Sequence, residues 1–192
     1  SLIMASLGQA ALAAVAALKL DPAVSARALL SFSEPVGRGR VTPITIGGKR
    51  ILLIDDSYNA SPASMRAAFA KTAEVWEAAG KKGRKVAILG DMLELGKDTL
   101  VLHADLVPSL VRHGFNLIFT AGQRMESLYN ALPPTAHSGH AKAPLALLPA
   151  LKNGLQSGDI VLVKGSHGSK AYELVEALMH EAEPTESARH AV

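Results

Sequence analysis

The sequence predicts an α/β fold, a Rossmann-like, doubly wound and mostly parallel sheet, and three observations lead there. Short apolar runs recur at residues 51–54, 86–89, 117–120 and 160–163, and each ends in a knot of polar residues or glycine. A strand buried on both faces reads as an unbroken apolar run, because helices cover both sides of a parallel sheet. Helical stretches separate these runs, and such alternation is the mark of crossover connections in one sheet. The polar knots then fall beyond the carboxyl ends of the strands, where open α/β sheets bind ligands.

The elements follow in order. Residues 2–20 are apolar and alanine-rich with no polar face, as in a helix buried by something larger than itself. Asp21-Pro22 sets a cap residue before a first-turn proline, so a second helix follows to residue 32. Residues 33–39, with Glu34-Pro35 and two glycines, read as a connector. Strands at 41–46 and 51–54 are joined by the hairpin pair Gly47-Gly48. Ser61-Pro62 opens a helix that runs to Ala79 ahead of Gly80, and another spans 98–113 with a bend at Pro108. A shorter helix follows Gln123, one covers 144–151, and the last covers 169–180. From Glu181 the chain mixes charges with Pro, Ser and Thr, which predicts disorder. Two helices ahead of a sheet that starts at residue 41 do not belong to it. The expected organisation is therefore 1–35 as helices of another domain, 36–180 as the sheet domain and 181–192 as a tail.

Composition narrows the function classes. The chain of 192 residues is 48% hydrophobic and 19% charged, as in soluble globular proteins. Residues 10–20 are too short to span a bilayer, and no signal arrangement opens the chain, so no membrane insertion is expected. The absence of cysteine excludes disulfides and thiolate chemistry and fits a cytoplasmic location. The net charge is only +3, and the basic run from Lys81 to Lys85 has no interleaved aromatics, so it reads as a solvated helix end and not as a nucleic-acid surface. Seven histidines match no ligand spacing, and His137 and His140 fall in a loop containing glycine and proline; no metal site is expected.

Four ordered blocks carry a family resemblance: Asp55-Asp56-Ser57-Tyr58-Asn59-Ala60-Ser61-Pro62 with Ser64-Met65, Gly90-Asp91-Met92-Leu93-Glu94-Leu95-Gly96, His103, and Val163-Lys164-Gly165-Ser166. In order and spacing they resemble the C-terminal domain of the Mur ligases, over residues 1–180. The resemblance makes residues 1–35 the closing helices of the family's central, ATP-binding domain. That domain's phosphate loop, Gly-x-x-x-x-Gly-Lys-Ser/Thr, does not occur in this chain, so the chain is expected to be a C-terminal fragment that is inactive alone.

The resemblance also implies roles. Arg38, in Val36-Gly37-Arg38-Gly39-Arg40, would reach nucleotide phosphates, for which a planar guanidinium is suited, with Arg40 the lesser candidate. Asp56 would accept hydrogen bonds from ribose hydroxyls; its other reading is a cap for the next helix. Tyr58 and Asn59 would shape the nucleotide and amino-acid cleft, while Asp55 is structural and Ser61 caps the helix. Asp91 would meet the ammonium of an incoming dipeptide, or else bond its own turn. His103 reads as a packed imidazole. Lys164 would face a carboxylate or phosphate, or else be a solvated strand end, and with Gly165 and Ser166 it precedes a helix N-terminus suited to an anion. Beyond Ser166 the sequence His167-Gly168-Ser169-Lys170-Ala171-Tyr172-Glu173 departs from the family's commoner ending. Leu2 and Ala5 stand where the family often has asparagines near adenine.

As a whole, the resemblance implies an ATP- and Mg2+-dependent amide ligase of peptidoglycan synthesis, joining D-alanyl-D-alanine to a UDP-N-acetylmuramoyl tripeptide. Its partners would be those two substrates and the central and N-terminal domains of the same polypeptide. Two alternatives stay open: another Mur-type ligase adding a single amino acid, against which the Asp-Asp-Ser-Tyr-Asn and Gly-Asp-Met blocks argue, and a non-catalytic Rossmann-like binding module.

Overall fold

Gly47 and Gly48, both at positive φ, turn the chain back between β1 (Arg40–Ile46) and β2 (Lys49–Asp56). Two successive left-handed residues match the right-handed twist of a hairpin, which is why a glycine pair serves there. The computed structural model describes residues 35–183, and before them only Ala13, Val15, Ala17 and Val24, which are helical, and Leu18. By its internal contacts the chain divides into Ser1–Glu34 and Pro35–Val192. The helices expected over 2–20 and 22–32 otherwise lie outside the described residues.

Four more strands complete the sheet: β3 (Lys85–Gly90), β4 (Leu117–Ala121), β5 (His137–Ala141) and β6 (Ile160–Lys164). Their order is β1-β2-β6-β3-β4-β5, and only the β1–β2 pair is antiparallel. β6, the last in sequence, thus lies between β2 and β3. Alternate residues of each central strand enter opposite cores. Val86, Ile88, Val161 and Val163 pack with Leu151, Leu174 and Leu178 on one face. Ala87, Leu89, Ile160 and Leu162 pack with Met65, Phe69, Leu110 and Leu128 on the other. The helices on the first face are α5 (Leu148–Gly154) and α6 (Ala171–His180); on the second lie α1 (Pro62–Ala78), α3 (Val107–Arg112) and α4 (Met125–Ala131).

Several expectations need correction. The loop holding His137 and His140 is instead β5, an edge strand parallel to β4, whose sequence His-Ser-Gly-His-Ala has no apolar run because its faces are only partly covered, residues 138–141 being half-buried. The helix expected over 98–113 is two helices, α2 (Thr99–Ala104) and α3, broken at Asp105-Leu106 and not bent at Pro108. Proline has no N–H to give the carbonyl four residues back and its ring clashes there, so Pro108 ends α2 at Ala104. Likewise the 144–151 helix begins as a 3-10 turn, Pro144–Leu147, and restarts as α5 with Pro149 in its first turn. The basic run is only partly solvated: Arg84 grips Asp159 with Nε and Nη2 at 3.0 and 2.7 Å, and the Lys85 ammonium lies 3.8 Å from the centre of the Trp76 ring. Residues 181–183, expected to open a disordered tail, lie on the hairpin instead. The Glu183 N–H donates to the Thr45 carbonyl and its carboxylate accepts from the Gly48 N–H, both at 2.8 Å. Residues 184–192 lie outside the described residues.

Two ion pairs give a test of where the stability resides. The Asp159 side chain is 1% exposed, whereas Glu77 and Lys81 are each 62% exposed. Asp159→Ala is expected to cost about 3 kcal/mol, because it leaves the Arg84 guanidinium without its countercharge and the Gln156 N–H without its acceptor. Glu77→Ala should stay within about 0.5 kcal/mol. Urea unfolding of the two variants measures the contrast.

Candidate functional site

The register of the two central parallel strands sets Asp56, at the end of β2, beside Lys164, at the end of β6. Lys164 is 1% exposed, and its ammonium donates to Asp56 Oδ2 at 2.7 Å and to the Asn59 carbonyl at 2.8 Å. Lys164 is therefore neither a solvated strand end nor a cation facing a ligand; a buried ammonium requires internal partners, and these two occupy it. Asp56 does not cap α1 either. Ser61 does so, in a capping box in which Ser61 Oγ accepts from the Ser64 N–H and Ser64 Oγ accepts from the Ser61 N–H. Burial raises the Asp56 carboxyl above its ordinary value, while the Lys164 charge and hydrogen bond pull it back. Among the described residues nothing bonds Asp56 Oδ1, and the side chain keeps 23% exposure.

Next to this pair, Asp55 fastens the loop that carries Arg38. Its Oδ2 accepts from the Gly37 N–H at 2.9 Å, its Oδ1 from the Ser57 hydroxyl at 2.6 Å, and its carbonyl from the Gly39 N–H at 2.6 Å. Gly37 has φ +76°, and a Cβ there would meet Tyr58 Cβ at 2.9 Å, so only glycine fits against the strand exit. Lys71, reaching up from α1, donates to the Gly39 carbonyl at 2.7 Å. The loop so held presents an exposed Arg38 whose guanidinium lies 4.5 Å from the centre of the Tyr58 ring. Tyr58 is 50% exposed and tilts against His167 at 5.8 Å, and His167 stacks on Tyr172 at 4.8 Å. Arg40 opens β1 and is exposed.

The other nominated residues face inward. The Asp91 carboxylate accepts from the backbone N–H groups of Arg124 and Met125, at 3.1 and 2.8 Å, and lies 3.6 Å from the Arg124 guanidinium. It serves the unpaired N–H groups that open α4, which leaves it 6% exposed and engaged, neither bonding its own turn nor available to an ammonium. Ser166 ties three loops together: its Oγ accepts from the Leu93 N–H at 2.9 Å and donates to the Ala60 carbonyl at 3.4 Å, and its N–H donates to the Asp91 carbonyl at 3.0 Å. Asn59 is exposed and turns its own Oδ1 onto the Ala60 N–H at 2.8 Å. His103 is fully buried; Nε2 accepts from the Met92 N–H at 3.0 Å, so the proton sits on Nδ1, which donates to the Thr99 carbonyl at 2.5 Å. Burial holds its pKa below the ordinary value, and the imidazole is neutral.

The structure thus brings Arg38, Asp56, Tyr58 and Asn59 together at one edge, with Lys164 beneath them, and turns Asp91 and Ser166 inward. Sequence reasoning missed Lys71, which sits in a helix with no motif, and the stacking pair His167 and Tyr172. The latter were visible as the point where the sequence leaves the family pattern.

Residues 39–167 match the family model described as Mur ligase, glutamate ligase domain. The chain is 31% identical over 156 residues to a UDP-N-acetylmuramoyl-tripeptide–D-alanyl-D-alanine ligase of Rickettsia prowazekii, covering 81% of this chain and 33% of that protein. It is 31% identical over 185 residues to the enzyme of that name from Mycobacterium tuberculosis, covering 87% and 36%. Among solved structures, MurF from Acinetobacter baumannii superposes with a TM-score of 0.70 at 29% identity, over 90% of this chain and 36% of that one. MurF from Thermotoga maritima, solved in complex with ADP, gives 0.66 at 24% identity over 88% and 36%. The chain spans about a third of the length of these relatives.

Two outcomes are expected from this geometry. Asp56→Ala should lower stability by about 3 kcal/mol, the low end for orphaning a buried charge because Asp56 itself is partly exposed, and adding Lys164→Met should recover much of the loss. Chemical denaturation of the single and double variants measures both. His103 has its pKa depressed by folding, so its contribution to stability is complete above the ordinary value of 6.5 and is lost as pH falls through that value toward the folded one. Between pH 7 and pH 5, His103→Gln should therefore lose less stability than the parent chain, measured as the pH dependence of the urea midpoint.

Proposed function

The chain belongs to the Mur ligase family, and from that premise we propose that it is the C-terminal part of an ATP-dependent amide ligase that joins D-alanyl-D-alanine to a UDP-N-acetylmuramoyl tripeptide. The observation that carries this reading is the shared name of relatives matched over more than four-fifths of the chain. ATP would phosphorylate the terminal carboxylate of the tripeptide, and the amine of the dipeptide would attack the acyl phosphate and expel phosphate. Activation of the carboxyl group converts an uphill condensation into two accessible steps. The reaction belongs to cell-wall synthesis and would run in the cytoplasm.

The residues present fit a nucleotide. An exposed guanidinium suits phosphoryl oxygens, a carboxylate oxygen unbonded among the described residues suits sugar hydroxyls, and a half-exposed tyrosine ring lies beside the guanidinium. Arg38 would then contact the phosphates, where its charge helps most as negative charge redistributes. Asp56 would hold the ribose, with Tyr58 and Asn59 walling the cleft. Among the described residues no three His, Asp or Glu side chains come together to hold a metal, so Mg2+ is assigned to a central domain. Closure of that domain on this edge would assemble the site.

The complete ligase should release phosphate from ATP only with both the tripeptide and D-alanyl-D-alanine present, and the 192-residue chain alone should not turn over. Activity that persists without the dipeptide would count against this substrate pair. In the complete ligase, Arg38→Ala should lower kcat by about a hundredfold with the KM for ATP changed far less, because the contact matters mainly in the transition state. Steady-state kinetics with ATP varied at saturating peptide substrates reads both constants.

A further inference from the structure

We propose that Lys164 is a positioning residue for nucleotide recognition: its buried ammonium fixes Asp56 Oδ2 and the Asn59 carbonyl, so that Asp56 Oδ1 points at the sugar hydroxyls of the nucleotide. The inference rests on the reading of Asp56 as the ribose contact and goes beyond it by giving that contact its support. Three observations carry it. The ammonium is 1% exposed and reaches both partners at 2.7 and 2.8 Å, so it is not free to touch a ligand. The two partners lie on the same strand exit, three residues apart, and one cation therefore fixes both the carboxylate rotamer and the path of the loop beyond it. Among the described residues only one carboxylate oxygen is used, which leaves the other, on a side chain that still meets solvent, as a directed acceptor.

A carboxylate held by one oxygen has its remaining lone pairs oriented before the ligand arrives, which reduces the ordering cost of binding. A shell that locks the rotamer of a ligand-contacting residue is the usual requirement for such a contact to discriminate. Ribose hydroxyls do not change during the reaction, so losing this orientation should appear in KM and not in kcat.

The test uses the complete ligase with ATP and its 2′-deoxy and 3′-deoxy analogues as probes. The parent enzyme should prefer ATP over at least one analogue by about tenfold in kcat/KM, the scale of one hydrogen bond to a charged acceptor. Lys164→Met should raise the KM for ATP by a similar factor, keep kcat at saturating ATP, and erase the preference between ATP and the analogue. In an Asp56→Asn background, Lys164→Met should add less than about twofold, because coupled residues do not contribute independently. This double variant also has no orphaned charge, so it reports even where Lys164→Met alone folds poorly. A preference left intact in Lys164→Met, or a further tenfold loss in the Asp56→Asn background, would overturn the proposal. A parent enzyme indifferent to both deoxy analogues would overturn the ribose reading itself, a separate result.

Discussion

An ammonium that has left water must find its countercharge and hydrogen-bond acceptors inside the protein, and at Lys164 they are Asp56 and the carbonyl of Asn59. The pair joins neighbouring parallel strands at the same level, β2 and β6, at the edge where the chemistry gathers. It also explains why the exit of β2 has a fixed path: the carbonyl of Asn59 is drawn down onto the cation before Ser61 starts α1. An apolar pair would fill the space equally well, but would direct nothing outward.

Around this centre the edge is built from loops that hold one another. Asp55 fastens the Arg38 loop from below, Lys71 fastens it from α1, and Ser166 joins the exits of β2, β3 and β6. Polar side chains that looked like ligand contacts are therefore divided between two duties. Those pointing inward hold backbone together, and those pointing outward, Arg38, Tyr58, Asn59 and one oxygen of Asp56, form the exposed surface.

Much of the fold was legible because its signals are local. Apolar runs marked the four central strands, and Ser61-Pro62 marked the start of α1. What escaped was set by distant partners or by an edge position. β5 has no apolar run, since its half-buried faces at the margin of the sheet do not require one, and so its two histidines read as loop. Pro108 was legible as a disturbance, but the site of the break follows from the carbonyl four residues earlier. At the candidate site, residue types pointed to one edge of the sheet, yet the sequence could not say which way each side chain turns. Asp91 reads as a turn or ligand carboxylate until α4 is seen to begin beside it, and Lys164 reads as a strand-end cation until β6 is seen to lie next to β2.

The insertion of β6 between β2 and β3 also orders events in time. A chain made from its N-terminus completes β2, α1, β3, α3 and β4 while the slot between β2 and β3 stands open. Both flanking strands then carry unpaired N–H and C=O groups, the kind of exposed edge that recruits other chains. Contacts between residues as far apart in sequence as Asp56 and Lys164 form late, because the intervening loop must first be closed. The nascent protein therefore cannot finish its sheet until residues 160–164 have left the ribosome, and a chain stopped short of them would lack the strand that joins β2 to β3. The strand that sets Lys164 beside Asp56 is thus also the last that the sheet's centre receives.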